Sequence, residues 1–398
     1  MGQVKKVKKI CFVTTIGGTL RVFVLKLAQY LHETGEYDIS FLCTPEEALS
    51  KMLPDYIHLI PVSMERGISI TGFKAMLQMR QIFKREKFDI VQYSTPNASC
   101  YASIAAWLER IPVRLYCQWG IAYVGFSGLK RAIFKLEEKM VCRLSTWIEP
   151  DSKSNLNFSH REKLYPDWKG SVVWNGSASG VDLKKFDVSK KQDYNNVIRN
   201  QYGIPKEAFV FGFVGRITGD KGINELFTAA KEIFEKHENA WLLLVGHSEK
   251  TDSVDGELYK WAENESRVVF SGYTLVAEQF IATMDCFILP SYREGFGMSV
   301  VEAEAMGVPV IITNIPGPID GMLEGKTGLI VPKKNTKALK DAMETMISTP
   351  ELCQMFGKNG VDYASQNFEQ RELFKRIYED RNRLIDEFRD KNKVKHGR

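Results

Sequence analysis

Residues 287–311 read FILPSYREGFGMSVVEAEAMGVPVI. A short apolar run ends at Pro290-Ser291, a loop carries Glu294-Gly295-Phe296-Gly297, a helical stretch carries Glu302 and Glu304, and a second apolar run begins at Val308. Strand, loop, helix and strand in that order form a βα unit of a parallel sheet. The alternation continues on both sides. Upstream stand FVFGFVG (209–215), AWLLLVG (240–246), RVVFSG (267–272) and DCFILPS (285–291); downstream, VPVIIT (308–313) and TGLIVP (327–332). An earlier series holds KKICFVTT (8–15), DISFLC (38–43), IHLIPV (57–62), DIVQYS (89–94), VRLYC (113–117) and a weaker VVW (172–174). Two such series predict an α/β protein of two doubly wound, Rossmann-like domains facing a cleft, because open α/β sheets bind ligands beyond the carboxyl ends of their strands.

The length of 398 residues suits two domains. The first is expected over 1–175 and the second over 204–375, joined by a linker at 176–203 that is rich in Gly, Ser, Asn, Asp and Lys and lacks an apolar period. Residues 376–398 read as a charged helix with a basic tail. A content of 44% hydrophobic and 26% charged residues is that of a globular protein and excludes disordered and collagen-like classes. Seven scattered cysteines without a C-x-x-C pair suggest neither a disulfide framework nor a zinc site, which fits a reducing cytoplasm. The opening MGQVKKVKK imitates a signal peptide, but the apolar run after it is short and breaks at Gly17-Gly18, so a first strand is the better reading. No stretch reaches the roughly 18 apolar residues that span a bilayer.

Charge is uneven. Residues 1–175 hold 24 Lys and Arg against 16 Asp and Glu, an excess of +8, whereas the remainder carries −3. A basic half suits an anionic membrane surface, an anionic substrate or nucleic acid, and equally a solvated surface. The basic residues lack the interleaved aromatics that single-stranded nucleic acid favours, and no nucleic-acid partner is expected.

Several strand-to-helix loops carry residues suited to an anionic sugar ligand. Thr15-Ile16-Gly17-Gly18-Thr19 is such a loop, although it is not G-x-G-x-x-G and reads as a plain tight turn as readily as a phosphate contact. GFVGRITGDKG places Arg216 and Lys221 ahead of a helix, where a guanidinium, an ammonium and a helix dipole together can clamp a diphosphate; two solvated surface charges are the alternative. Near Glu294 bare backbone can approach a ligand, and the carboxylate can accept hydrogen bonds from sugar hydroxyls. Glu302 lies close enough on the following helix to reach another part of the same ligand. Glu304 is expected to be a solvated helix charge.

Glu294 and Glu302 in E-x7-E spacing, within PSYREGFG…VVEAEAMGVPVI and with GR…DKG upstream, resemble the family-four retaining glycosyltransferases of the GT-B fold. The match covers about 209–332; over the first domain it rests on the Gly17-Gly18 loop and the strand order. The resemblance implies a sugar nucleotide held mainly by the second domain. Arg216 and Lys221 would bind the diphosphate and stabilise the leaving group, and Glu294 would hold the donor sugar with the amides of Gly295, Phe296 and Gly297. Glu302 would bond the ribose hydroxyls, and Gly17 and Gly18 would close on the diphosphate. No cofactor and no metal is expected, in agreement with the lack of a D-x-D triplet. The last helix of such enzymes often crosses back to the first domain, and 376–398 is expected either to do so or to be a solvent-facing helix.

Family members often have a histidine after the fifth strand, where this chain has Cys117-Gln118-Trp119-Gly120. His32, His58 and His160 do not stand there. Gln118, Trp119 and Gly120 are expected to line the acceptor side, with a structural turn as the equal alternative. The family's N-G-V-D is interrupted as Asn175-Gly176-Ser177-Ala178-Ser179-Gly180-Val181-Asp182, a form that resembles enzymes extending lipid-linked sugars in bacterial polysaccharide assembly. In LKRAIFKLEEKMVCRLS (129–145), Arg131, Lys135, Lys139 and Arg143 form a basic stripe beside Ile133, Leu136, Met140 and Leu144. This resembles an interfacial helix suited to an anionic leaflet, with ordinary sheet packing as the alternative.

The expected activity is transfer of a hexose-type sugar from a nucleoside diphosphate, a UDP-sugar first, onto a polyprenyl-diphosphate-linked saccharide for capsule, exopolysaccharide or O-antigen. The protein would be cytoplasmic and peripheral on the inner face of the cell membrane. A sugar-nucleotide epimerase and a non-catalytic sugar-nucleotide-binding partner subunit are the rival readings.

Overall fold

The computed structural model describes residues 7–64, 70–248 and 253–396. The lysine-rich opening (1–6) and the end of the basic tail (397–398) lie outside the described residues. The chain divides into two compact units, one of Met1–Ser179 with Glu372–Arg398 and one of Gly180–Arg371.

The first unit holds β1 (Lys8–Val13), β2 (Tyr37–Cys43), β3 (Ile57–Pro61), β4 (Ile90–Tyr93), β5 (Val113–Gln118) and β6 (Trp147–Pro150). All pair in parallel in the order β3-β2-β1-β4-β5-β6. The second unit holds β7 (Phe209–Val214), β8 (Ala240–Val245), β9 (Val268–Gly272), β10 (Cys286–Leu289), β11 (Val310–Thr313) and β12 (Gly328–Val331), ordered β12-β11-β10-β7-β8-β9. Counted from its own first strand, each sheet has the same doubly wound topology, with the order reversing beside β1 and beside β7. Strands covered by helices on both faces are apolar throughout: every residue of β10 and β11 is buried, as are Ile10 to Val13 of β1.

Three expectations need correction. The sixth strand of the first sheet is Trp147–Pro150, paired with β5 from Leu115↔Trp147 to Gln118↔Pro150, and not VVW at 172–174. Glu149 interrupts its apolar run, and its carboxylate finds a partner only in tertiary structure, where the wholly buried Arg381 donates to both oxygens at 2.5 and 2.8 Å. The stretch 176–203 is a linker only at its start: it holds a helix, Lys191–Tyr202, that belongs to the second unit. The inward positions of this helix are Ile198 and Arg199. The guanidinium of Arg199 donates to the Pro205 and Ala208 carbonyls and to Asp285, so a cation fills a core position and hides the apolar period. The last helix begins at Gln370, not at 376, and runs to His396. Within the first unit its Leu373, Phe374, Ile377, Leu384 and Ile385 share a core with β1 and β2, and Asn382 accepts from Lys8 and Tyr37.

The helix Gly128–Leu144 buries only a narrow face. Glu138, Val141 and Cys142 are its buried residues, while Ile133 and Leu136 face solvent. Lys135 pairs with Glu162 at 2.6 Å, and both Arg131 and Lys135 lie over the Tyr123 ring. Among the described residues no helix is long and apolar enough to cross a membrane.

Candidate active site

β7 and β10 are neighbours, Phe211 opposite Cys286, so the loops leaving their carboxyl ends emerge side by side. The first loop winds into a short turn, Gly219–Lys221, and stops at Gly222 with φ 72. A Cβ on Gly222 would stand 2.1 Å from the Pro290 carbonyl oxygen. Only glycine tolerates both that backbone angle and that approach, which presses the first loop onto the second. The Tyr292 N–H donates to the Asp220 carbonyl at 2.9 Å, and Arg293 pairs with the Asp220 carboxylate at 3.1 Å.

These ties bring together two of the expected residues. Lys221 Nζ lies 2.6 Å from Glu294 Oε1, and the Ser291 hydroxyl donates to the same oxygen at 2.7 Å. The side chains of Lys221 and Glu294 are only 16% and 13% exposed, so the contact is a charge-assisted bond in a largely dry setting. The Ser291 carbonyl in turn accepts from Thr313 at 2.5 Å, which fixes the loop to the end of β11. Arg216 is exposed at the end of β7. Burial opposes ionisation of Asp220, but the Thr218 hydroxyl and the cations Arg293, Lys221 and Arg216 hold its carboxyl below the usual range. The loop ends thus hold three cations, Arg216, Lys221 and Arg293, with two acids, Asp220 and Glu294, fixed among them.

The Gly295-Phe296-Gly297 segment is held from below. The Phe296 ring is buried against Phe368, with centroids 5.3 Å apart, so it can offer a ligand only backbone. A Cβ on Gly317, whose φ is 100, would fall 1.6 Å from the Gly295 carbonyl, so two glycine-bearing loops touch backbone to backbone here. Gly297 caps the helix Met298–Ala305.

Glu302 is half-buried on that helix. Burial pushes its carboxyl up to about 7; nearby Lys185 draws it down, and Glu278 pushes it further up. Lys185 reaches the Leu275 carbonyl at 3.0 Å and Glu278 at 3.5 Å. Neither Lys185 nor Glu278 stands out in the sequence: the first lies in the stretch read as linker, the second on a helix of five residues. Glu304 is not a solvated charge. It is fully buried, because its helix also buries Val300, Val301, Ala303 and Ala305 and so has almost no water-facing side.

In the first unit the two loop glycines are separated in role. A Cβ on Gly17 would meet Glu46 and Leu49 at 2.6 and 2.8 Å, so Gly17 is a packing position, whereas nothing stands within 4 Å of the same point on Gly18. Beside them a cavity of about 350 Å³ is lined by Thr15, Ile16, Thr95 and Asn97 with Phe126 and Phe134 among its walls. Thr15 and Thr95 hydroxyls bond to each other at 2.8 Å. The Gln118 side chain is wholly buried. Its amide donates to Glu138 at 2.5 Å and accepts from Ser159 at 2.9 Å, so it is committed inside the unit and does not present itself to an acceptor. Trp119 packs on Phe23 with ring centroids 5.6 Å apart, and Gly120 follows with φ 105.

Two family models match this chain, glycosyl transferases group 1 over residues 195–362 and glycosyl transferase 4-like over 9–148. A capsular polysaccharide biosynthesis glycosyltransferase of Staphylococcus aureus, CapM, is 31% identical over 85% of this chain and 88% of its own length. The chain belongs to the glycosyltransferases. This glycosyltransferase is also 27% identical, over 78% of its length and 80% of the relative's, to an Escherichia coli UDP-Gal:α-D-GlcNAc-diphosphoundecaprenol α-1,3-galactosyltransferase. Anabaena HepE, solved with UDP-glucose, superposes with a TM-score of 0.78 at 20% identity, covering 94% of this chain and 99% of that one, which establishes the GT-B fold. The E-x7-E segment and both cationic residues fall inside the group 1 match.

Proposed function

We propose that this glycosyltransferase moves a hexose-type sugar, with retention of anomeric configuration, from a UDP-sugar to a lipid-linked saccharide in bacterial cell-surface polysaccharide synthesis. The observation that carries the reading is the Lys221–Glu294–Ser291 contact at the mouths of β7 and β10. Support for the lipid-linked acceptor comes from the name of the Escherichia relative, for polysaccharide synthesis from that of the Staphylococcus relative, and for the base from the Escherichia relative and HepE.

In this reading Arg216 and Lys221 face the diphosphate. As the bond from the anomeric carbon to the phosphate oxygen breaks, negative charge grows on the leaving group, and two preset cations stabilise it more than they stabilise the substrate. Glu294, oriented by Lys221 and Ser291, accepts hydrogen bonds from the sugar hydroxyls, assisted by the amides of Gly295, Phe296 and Gly297. Glu302 accepts from the ribose. The carboxylates and amides position the donor, and the chain's own work on the reacting bond is electrostatic, with no metal or cofactor assigned a part.

Binding is tested by thermal shift against UDP-, GDP-, dTDP- and CMP-sugars, since a ligand at a hundred times its Kd stabilises the native state by about 2.7 kcal/mol. A shift confined to UDP-sugars and lost in Arg216→Ala is expected. Transfer is tested with polyprenyl-diphosphate saccharides, reading the anomeric proton coupling of the product by NMR. An inverted product, or near wild-type turnover in Glu294→Ala, refutes the assignment.

A further inference from the structure

The segment Val181-Asp182-Leu183-Lys184-Lys185-Phe186 stands at the start of the second unit. Val181 and Phe186 are buried in its core, and between them the Asp182 carbonyl accepts from the Lys185 and Phe186 N–H groups at 3.0 and 2.8 Å. A turn anchored at both ends in this way fixes where Lys185 leaves the backbone. Its ammonium crosses to a segment 90 residues on, donating to the Leu275 carbonyl at 3.0 Å and lying 3.5 Å from Glu278 Oε2. Glu278 is only 6% exposed, and its Oε2 has no hydrogen-bond partner among the described residues, so the Lys185 charge is what offsets it there.

Both places that Lys185 reaches adjoin Glu302. β9 ends at Gly272, and the loop after it exposes Tyr273, Leu275 and Val276 before the helix Ala277–Ile281, which carries Glu278 and packs on the helix of Glu302. With Glu302 on the ribose, this loop of one phenol and two aliphatic side chains is the neighbouring surface that suits a planar base. The charges that bear on Glu302 are those of Lys185 and Glu278. The helix of Glu302 also packs on Pro350–Phe368, β10 and β11. On Pro350–Phe368, Glu351, Lys358 and Asp362 are exposed to water, Tyr363 and Cys353 donate to the Asp320 and Met346 carbonyls, and Gly360 lies against Glu304. β10 and β11 bring the Cys286 thiol as their one titratable side chain, and burial keeps it protonated.

We propose that Lys185 is a positioning residue for the nucleoside half of the donor: its ammonium pins the loop after β9 for the base and offsets Glu278, so that Glu302 meets the ribose as a carboxylate. This role presupposes the proposed function, in which Glu302 accepts from the ribose. Two carboxylates on packed helices each oppose the other's ionisation, and one cation beside them relieves both. Without Lys185, Glu302 keeps its proton to higher pH, and a protonated carboxyl is a poorer acceptor for ribose hydroxyls.

The test is titration calorimetry of the full chain with UDP-glucose from pH 5.5 to pH 8.5, a probe whose diphosphate does not titrate over that range and whose uridine is common to all UDP-sugars. Affinity is expected to rise by up to about tenfold between pH 6 and pH 8, the ratio of ionised fractions for a carboxyl at about 7. Lys185→Met should move the midpoint of that rise up by roughly one pH unit, Glu278→Gln should move it down, and Lys185→Arg should restore it. Hydrogen exchange across 272–277 should quicken in Lys185→Met and return in Lys185→Arg. A general loosening of the fold weakens binding at every pH and does not imitate a shifted midpoint. A midpoint that Lys185→Met leaves in place or lowers, that Glu278→Gln raises, or that Lys185→Arg fails to restore overturns the proposal, as does exchange that Lys185→Met leaves unchanged. Absent binding, a flat wild-type profile or an undiminished rise in Glu302→Gln instead overturns the donor-site assignment on which the role of Lys185 stands.

Discussion

Replacing Glu304 by methionine should stabilise the second unit, and the gain should grow with pH. Glu304 has no exposed surface, and neither carboxyl oxygen has a hydrogen-bond partner among the described residues. Burial drives its carboxyl well above the carboxylate range; the Thr327 hydroxyl, already bonded to the Leu323 N–H, offsets this only in part. The group is therefore uncharged in the folded unit, whereas in the unfolded chain it ionises above about pH 4.3. Folding takes up a proton, so Glu304 lowers stability as pH rises above that value, by up to about 1.4 kcal/mol per pH unit until the folded-state pKa is reached. Methionine keeps the Cβ and Cγ that lie close to Gly360 and removes two unpaired polar atoms, whose burial costs about 1–3 kcal/mol even when neutral.

For a unit of this size 1 kcal/mol moves Tm by about 2–4 °C. Glu304→Met should therefore raise the second unit's transition by roughly 4 °C or more at pH 8, and by less at pH 5. Calorimetry at both pH values reads the effect, with Glu304→Gln as the control that abolishes the proton uptake but keeps the polar atoms. A lower transition in the methionine variant at pH 8, or a gain equal at pH 5 and pH 8, refutes the reasoning.

Arg216→Ala or Lys221→Ala should each lower kcat/KM by about 30- to 1,000-fold, the loss of one preset donor of about 2–4 kcal/mol, in steady-state assays with the UDP-sugar identified by binding. Glu302, pushed up to about 7, gains its charge as pH rises through neutrality, so donor KM should fall between pH 6 and pH 8 and become flat over that window in Glu302→Gln. Arg381→Met strands the Glu149 carboxylate inside the first unit and should cost about 3–5 kcal/mol in urea unfolding, most of it recovered when Glu149→Leu is added. Gly222→Ala should prevent folding of the β7 and β10 loops, because its new methyl would meet the Pro290 carbonyl, and hydrogen exchange across 216–224 should rise.

Local pattern alone determined eleven of the twelve strands among the described residues, the two sheets and the E-x7-E loop. Strands buried on both faces are short apolar runs, helices on a sheet repeat every three to four residues, and glycines mark where backbones meet. These signals are carried by consecutive residues and survive without partners. What the tertiary structure decided involves charges or contacts whose partners lie far along the chain. Glu149 breaks the look of a strand until Arg381 arrives, 232 residues later, and Arg199 hides a core helix until Asp285 meets it. Lys221 and Glu294 are 73 residues apart, and only the parallel pairing of β7 with β10 makes them touch. Glu304 and the outward stripe at Leu136 show the remaining gap: periodicity states that a helix has two faces, but which face meets a neighbour, and whether a carboxyl finds water there, depends on the helices packed around it.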